Sequence, residues 1–195
     1  MLVIAHRRNT LDQLSSTPAS LGVEMDVRLR GDQLIVAHDP LQGGPALDAW
    51  LDAYEHALLV INVKEEGLEP LILPRLAARG IERFFLLDQS VPSLVRTVRA
   101  GEARCAVRVG DLDGTHLAVQ LAGEARWAWC DGFDGFPLEP DVAVALRHAG
   151  YRLCLVSPEL HGRPPEQIDA WRATVGAMGS PFAAVCTKLP DAWLR

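Results

Sequence analysis

Short apolar runs alternate with amphipathic segments along the whole chain. Each run is bounded by turn residues and rich in β-branched or aromatic side chains, which is typical of a buried strand. The runs predict strands at 2–6, 22–29, 33–38, 58–64, 83–88, 104–109, 127–131, 152–156 and 182–187, the third being a hairpin arm turned by Gly31-Asp32. Between them, apolar side chains at helical spacing predict helices at about 10–17, 46–55, 68–79, 91–100, 115–124, 139–149 and 165–176.

Strict alternation of strand and helix with short connections requires parallel strands and right-handed crossovers. A doubly wound sheet and a closed barrel both satisfy that requirement. A doubly wound sheet usually carries a GxGxxG phosphate loop, which is absent here, whereas eight strand–helix units match a compact (β/α)8 TIM barrel. Since no long linker interrupts the pattern, we predict a single domain over residues 1–195 whose chemistry lies at the carboxyl ends of the strands.

Composition narrows the range of partners. The chain is 49% hydrophobic and has a net charge of -6, which argues against a nucleic-acid surface. No lysine or arginine run suggests a membrane patch, and the apolar stretches are far shorter than a bilayer span. The first residues, "MLVIAH", enter a strand at once, so we predict a cytoplasmic protein. The sequence does not define its oligomeric state.

The four cysteines agree with a reducing compartment. Cys105, Cys130, Cys154 and Cys186 are widely spaced, lie in apolar runs and form no CxxC motif. We therefore expect small core side chains, not a disulfide framework or a zinc site.

Two carboxylates share one face of the second predicted strand. Glu24 and Asp26 stand two positions apart in "VEMDV", and alternate positions of a strand point the same way. Carboxylates side by side repel each other, so the pair is costly unless a positive charge lies between them. Asn62 on a neighbouring strand offers a third oxygen, and three such oxygens suit Mg²⁺ or Ca²⁺. We predict a divalent metal site at Glu24, Asp26 and Asn62.

Cationic and imidazole side chains stand at the same strand ends. His6 and Arg7 close the first strand, His38 closes the hairpin arm, and Lys64 closes the strand after it. Arg7 and Lys64 are predicted to bind phosphate oxygens, with Arg108 in "AVRVGD" as a further phosphate contact. His6 and His38 are predicted to move protons as general acid and base.

Six segments together resemble the glycerophosphodiester phosphodiesterase family, within the PLC-like phosphodiesterase superfamily. They are "HRR" at 6–8, "NT" at 9–10, "EMD" at 24–26, "AHD" at 37–39, "NVK" at 62–64 and "TKLPD" at 187–191. The resemblance implies a TIM barrel and a phosphoric diester hydrolase (EC 3.1.4.-) of lipid metabolism. It also implies two histidines as acid and base, a divalent metal, and a neighbouring substrate hydroxyl that often attacks phosphorus first.

The chain departs from the family pattern at several positions. Arg8 stands where a glycine usually follows the HR pair, Asn62 replaces the usual acidic residue, and Lys188 replaces a common aspartate. Only 23 residues separate His38 from Asn62, where relatives place a capping insertion. We therefore expect an open site whose substrate is a phosphodiester bulkier than simple glycerophosphodiesters, such as one linked to a glycan or a lipid head group.

Other polar residues lie at or just past predicted strand ends, where loop polarity or helix capping commonly explains them. They are Asp88, Arg108, Asp111, Asp131, Asp134, Glu159 and His161. The loops around Asp111, Phe133 and His161 are expected to form the rim that contacts the remote parts of a large substrate.

Two other functions fit the same residues. A catalytically weak barrel could bind a phosphorylated ligand, since Asn62 removes one negative charge from the metal site. A lyase could stop at a cyclic phosphate. Metal-dependent turnover excludes the first alternative, and the phosphorus products identify the second.

Overall fold

The structure, a computed structural model, describes all 195 residues. Its nine strands follow the predicted apolar runs. Their bounds are β1 Leu2–Ala5, β2 Gly22–Arg30, β3 Gln33–Val36, β4 Leu58–Val63, β5 Phe84–Leu87, β6 Ala106–Gly110, β7 Trp127–Asp131, β8 Arg152–Val156 and β9 Phe182–Thr187. Every predicted strand is confirmed, with ends that agree to within two residues.

Eight α-helices and one 3-10 helix connect the strands. The α-helices are α1 Leu11–Ser15, α2 Leu47–Asp52, α3 Glu69–Ala78, α4 Val91–Arg99, α5 His116–Gln120, α6 Pro140–His148, α7 Gln167–Ala177 and α8 Pro190–Trp193. The 3-10 helix Pro158–His161 and α8 were not predicted, because four residues are too short to show a helical period.

Two helices end three or more residues earlier than the sequence predicts. α2 ends at Asp52 and α5 at Gln120, three and four residues before the expected ends. In both cases a tighter turn follows, in which Tyr54 N donates to Leu51 O and Glu124 N donates to Leu121 O. The apolar spacing continues through these turns, which is why the pattern overestimates helix length.

The sheet has the strand order β5-β4-β2-β1-β9-β8-β7-β6, and β3 pairs with β2 as the antiparallel arm of a hairpin. This order and the intervening helices confirm the predicted (β/α)8 barrel fold. By its contacts the chain forms two compact units, Ala5–Gly101 and Met1–Ile4 with Glu102–Arg195. A single domain over residues 1–195 stays a prediction.

In the unit Ala5–Gly101, strand register places polar side chains side by side. β2, β4 and β5 are parallel neighbours, and Asp26 pairs directly with Asn62 across β2 and β4. All six residues of β4 are buried, so Asn62 is a polar exception in an otherwise apolar strand. Polar groups buried at such positions need partners, which marks this part of the sheet as a candidate site.

In the unit Met1–Ile4 with Glu102–Arg195, β6 to β9 form a parallel sheet with an apolar core. The four cysteines are buried and free, as the sequence predicts. Burial raises the pKa of the Cys130 and Cys154 thiols, so they remain protonated core side chains. Nowhere in the chain is there a helix with the length and apolar character that crossing a bilayer would require.

Candidate active site

Three buried oxygen-bearing side chains meet where β2 and β4 run side by side. Glu24 and Asp26 are 1% and 0% exposed, and Asn62 is 7% exposed. One oxygen of each, Glu24 Oε1, Asp26 Oδ1 and Asn62 Oδ1, accepts no hydrogen bond within the protein. Buried oxygens without a donor are costly, so this arrangement calls for a positively charged partner.

Asp26 already lies beside two cationic side chains. Lys64 Nζ is 3.1 Å from Asp26 Oδ1, an ion pair without hydrogen-bond geometry, and Arg7 Nε is 3.7 Å from Asp26 Oδ2. Lys64 also lies 3.8 Å from Asp88 Oδ2. The predicted phosphate-binding pair, Arg7 and Lys64, is therefore brought to the same carboxylate.

The negative charge of Glu24 is less well balanced by nearby positive groups than that of Asp26. Burial, followed by the neighbouring charge of Asp26, raises the pKa of Glu24 to about 8. The Arg7 backbone N–H, the Lys64 charge and the Asn62 amide act in the opposite direction. Burial is thus the main reason why a charged Glu24 is costly at this position.

The backbone of Arg7 is held in an uncommon conformation. Its φ of 54° lies in the left-handed region, which costs a non-glycine residue about 1 kcal/mol or more. In this conformation Arg7 N donates to Glu24 Oε2 at 2.7 Å, and the next backbone N–H, of Arg8, donates to Glu24 O at 2.7 Å. Two hydrogen bonds therefore hold the turn after β1 against Glu24.

Asn9 forms two hydrogen bonds with Asp26 and so orients its carboxylate. Its Nδ2 donates to Asp26 Oδ2 at 2.7 Å, while its Oδ1 accepts from Asp26 N at 3.0 Å. The sequence match "NT" includes Asn9, yet sequence reasoning gave it no role. Nothing in the local pattern distinguishes it from an ordinary loop asparagine.

The two histidines have different surroundings. His6 Nε2 lies 3.7 Å from Glu24 Oε2, and its side chain is 15% exposed. His38 Nδ1 lies 2.7 Å from Asp39 Oδ1, and this hydrogen bond lowers the pKa of Asp39. When Nδ1–H donates to Asp39, Nε2 of His38 is the basic atom. Arg28 Nε donates to His38 O at 2.9 Å and so holds the backbone at this position.

The predicted cation site offers only oxygen donors. The chain contains no group of three or more histidine, cysteine, aspartate or glutamate side chains that could hold a metal ion. The predicted set has only two carboxylates, and its third member is the amide oxygen of Asn62. Carboxylate and amide oxygens are nevertheless the donors of a hard cation, and each side chain has one oxygen without a hydrogen bond. The set fits a weakly held Mg²⁺ or Ca²⁺ completed by other oxygens.

Arg108 lies in the other compact unit, within a second polar cluster. Its Nη1 pairs with Oδ2 of Asp131, which is 1% exposed, and His161 Nε2 lies 3.0 Å from Asp131 Oδ1. The His161 ring packs on Phe133 at 4.4 Å between centroids. Asp131 therefore positions both Arg108 and His161, and the phosphate contact proposed for Arg108 stays a prediction.

Two of the weaker acidic candidates have structural contacts. Asp111 accepts hydrogen bonds from the backbone N–H groups of Phe133, Asp134 and Gly135, so it stabilises the loop after β7. Glu159 accepts from Ser157, Thr187 and the backbone N–H of Lys188. These contacts account for both carboxylates without a ligand.

The fold is that of a (β/α)8 barrel, and the unit Ala5–Gly101 carries a candidate phosphate and cation site at β2, β4 and the turn after β1. No family model matches the sequence, and no curated protein matches it. Solved structures do match. A glycerophosphodiester phosphodiesterase from Agrobacterium tumefaciens str. C58 has a TM-score of 0.72 at 16% identity, with 100% of each chain covered.

Two further structures share the fold. A glycerophosphoryl diester phosphodiesterase from Parabacteroides distasonis ATCC 8503 has a TM-score of 0.67 at 14% identity, covering 98% of this chain and 84% of that one. A calcium-dependent phosphoinositol-specific phospholipase C from a Pseudomonas species has a TM-score of 0.64 at 12% identity, covering 98% and 89%. The similarity to this group of structures confirms the resemblance that the motifs predict, at the level of the fold.

Proposed function

We propose that the protein is a metal-dependent phosphodiester hydrolase of the glycerophosphodiester phosphodiesterase type. The observation that carries the proposal is the set of three buried oxygens without hydrogen bonds, on Glu24, Asp26 and Asn62, beside Lys64. Buried oxygens without a hydrogen bond are costly, and a cation bound among them would offset that cost. The similar fold of known phosphodiesterases supports the same conclusion.

Arg7 and Lys64 bind the non-bridging oxygens of the phosphodiester in this proposal. Arg7 and Lys64 both lie beside Asp26, so their positive charge would be shared between the Asp26 carboxylate and the bound phosphate. Glu24, Asp26 and Asn62 would hold a divalent cation, which would supply charge stabilisation for the phosphoryl transition state. Ca²⁺ or Mg²⁺ suits the oxygen donors, and one similar structure is of a calcium-dependent enzyme.

His6 and His38 divide the proton transfers. His38, oriented by Asp39, has Nε2 available to accept a proton from the attacking hydroxyl. His6, beside Glu24, donates a proton to the leaving alkoxide. The attacking group is either water or a hydroxyl of the substrate itself, and in the latter case a cyclic phosphate forms first.

The replacement of an acidic residue by Asn62 favours one second candidate, a barrel that binds a phosphorylated ligand with little turnover. The experiment that separates the two uses bis(p-nitrophenyl) phosphate with Mg²⁺ or Ca²⁺, before and after chelation. Turnover that is lost on chelation supports the hydrolase, whereas binding of phosphate without turnover supports the second candidate. Phosphorus NMR of the products identifies a lyase by an accumulating cyclic phosphate.

A cytoplasmic location is part of the proposal. Four free cysteines, all buried, support it, because disulfides are rare in reducing compartments. Measurement of the protein in cell fractions tests this point.

A further inference from the structure

A groove of about 280 Å³ lies between α5 and α6, in the compact unit that contains β6 to β9. Six of the eight residues that line it are apolar, among them Ala118 and Val119 of α5 and Ala145 and Ala149 of α6. Val119 is 63% exposed. None of the lining residues belongs to the candidate active site, so the groove is a separate feature of the molecule.

Helix α6 presents a stripe of exposed residues beside this groove. Offsets of three, four and seven positions place its members on one face of the helix, and they are Asp141, Val144, Ala145 and His148. Val144 is 46% exposed. The buried residues of α6, Ala143 and Leu146, lie on the other side of the helix. The α6 stripe is therefore an apolar centre with an acidic side chain at one end and an imidazole at the other.

The α6 stripe is complementary to an antiparallel copy of itself. A two-fold axis perpendicular to the helix, level with the point between Val144 and Ala145, sets Asp141 of each copy opposite His148 of the other. A carboxylate accepts a hydrogen bond from an imidazole N–H whether the ring is neutral or charged, so both ends of the helix pair are matched. Because Ala145 is small, two helices that cross at this point can approach closely.

We propose that this surface binds a second copy of the chain, in a symmetric dimer whose two α6 stripes pack antiparallel. The occupant is a second copy because the acidic and imidazole ends lie at equal distances from the apolar centre, so that one sequence satisfies both sides of the interface. In this arrangement the grooves of the two copies lie on the same side of the helix pair, and Val119 of each contributes apolar surface there. The dimer does not depend on the proposed phosphodiesterase function and goes beyond it.

The size of the surface indicates a weak, reversible dimer. α6 has nine residues, and a helix of that length is roughly 14 Å long. Two such helices and the flanking side chains of α5 form a contact at the low end of the range for specific interfaces, below about 1,200 Å². The dissociation constant is therefore expected at about 10 to 100 µM, so the dimer forms in a concentration-dependent manner.

Sedimentation velocity of the full chain from about 5 to about 500 µM tests the dimer. The wild-type protein should pass from monomer to dimer across this range. Val144→Lys brings two ammonium groups together beside the two-fold axis and should keep the chain monomeric throughout. Val91→Lys is the matched control, since Val91 is a 51% exposed valine on α4 of the other compact unit, and it should dimerise like the wild type.

A charge exchange between positions 141 and 148 tests the antiparallel pairing itself. Asp141→Lys and His148→Asp each remove the matched pair at both ends of the interface and should weaken the homodimer about tenfold or more. An equimolar mixture of the two variants should regain a dimer, because the introduced ammonium group of one chain faces the introduced carboxylate of the other. The double variant Asp141→Lys/His148→Asp should likewise form a homodimer. Misfolded variants would show neither recovery.

Three results would overturn the proposal. The first is a wild-type chain that stays monomeric over the whole concentration range, which is what a groove for a small apolar ligand or for a helix of an unrelated protein predicts. The second is a wild-type dimer that Val144→Lys leaves intact, because the chain then associates through another surface. The third is a mixture of Asp141→Lys with His148→Asp, and a double variant, that both dimerise no better than the single variants.

Discussion

Asn9 and Asp26 are joined by two hydrogen bonds, one from the Asn9 amide to the Asp26 carboxylate and one from the Asp26 backbone N–H to the Asn9 carbonyl. The pair fastens the loop after β1 to the middle of β2. Because Asp26 Oδ2 accepts the hydrogen bond from Asn9, Asp26 Oδ1 remains beside Lys64. Asn9 is thus a positioning residue for the proposed cation ligand.

Removing this support should weaken the cation site more than the fold. We expect Asn9→Ala to lower the affinity for Mn²⁺ or Mg²⁺ about tenfold or more, the usual effect of losing a group that orients a ligand. Isothermal titration measures the affinity, and Ser15→Ala on the neighbouring helix α1 is the control. A variant with lower thermal stability but wild-type cation affinity would show that Asn9 is only structural.

Sequence reasoning recovered the parts of this site that depend on local pattern. The shared face of Glu24 and Asp26 follows from strand alternation, and the neighbouring position of Asn62 follows from two parallel strands in sequence order. The roles of Asn9 and of the Arg7 backbone N–H could not be predicted, since both depend on the φ and ψ angles of a short turn.

The same limit applies to the second polar cluster. The ion pair between Arg108 and Asp131 depends on the register of β6 and β7, in which Gly110 lies opposite Asp131. Two polar residues at separate strand ends carry no signal of that register in the sequence. The sequence therefore predicts Arg108 as a further phosphate contact but does not reveal its carboxylate partner, Asp131.

The two histidines should be separable by mutation. We expect His6→Ala and His38→Ala each to lower kcat about 100-fold or more, which is the usual contribution of a general acid or base. The pH–rate profile should lose one limb in each variant. His148→Ala, at an exposed histidine on α6, is the matched control and should retain wild-type rates. Near-wild-type turnover in either site variant would remove that histidine from the mechanism.

Asn62 distinguishes a cation ligand from a structural amide. Asn62→Asp has the same shape and adds one negative charge, so it should tighten divalent-cation binding, whereas Asn62→Leu removes the ligand oxygen and should weaken it about tenfold or more. Calorimetric titration of both variants with Ca²⁺ and Mg²⁺ provides the comparison. If their affinities equal that of the wild type and only Tm changes, the amide has a structural role.

Glu24 makes the cation-free protein sensitive to pH. Its folded pKa of about 8 exceeds the ordinary value of 4.5, so between these values the folded state binds more protons than the unfolded state. The free energy of unfolding should therefore fall as pH rises from about 4.5 towards 8. Urea unfolding across this range measures the effect, and Glu24→Gln should flatten it. A stability that rises with pH in the wild type, and to the same extent in Glu24→Gln, would contradict the assignment.

The central claim is that one divalent cation, held by Glu24, Asp26 and Asn62, is required for phosphodiester hydrolysis. It is tested most directly by adding Mn²⁺ to the chelated protein while bound Mn²⁺ is followed by electron paramagnetic resonance and bis(p-nitrophenyl) phosphate hydrolysis is followed by absorbance. We predict that activity rises in proportion to bound Mn²⁺ and saturates at one ion per chain, and that Glu24→Gln loses both signals together. Full activity of the chelated wild-type protein without added metal, or activity in Glu24→Gln equal to that of the wild type, would contradict the account.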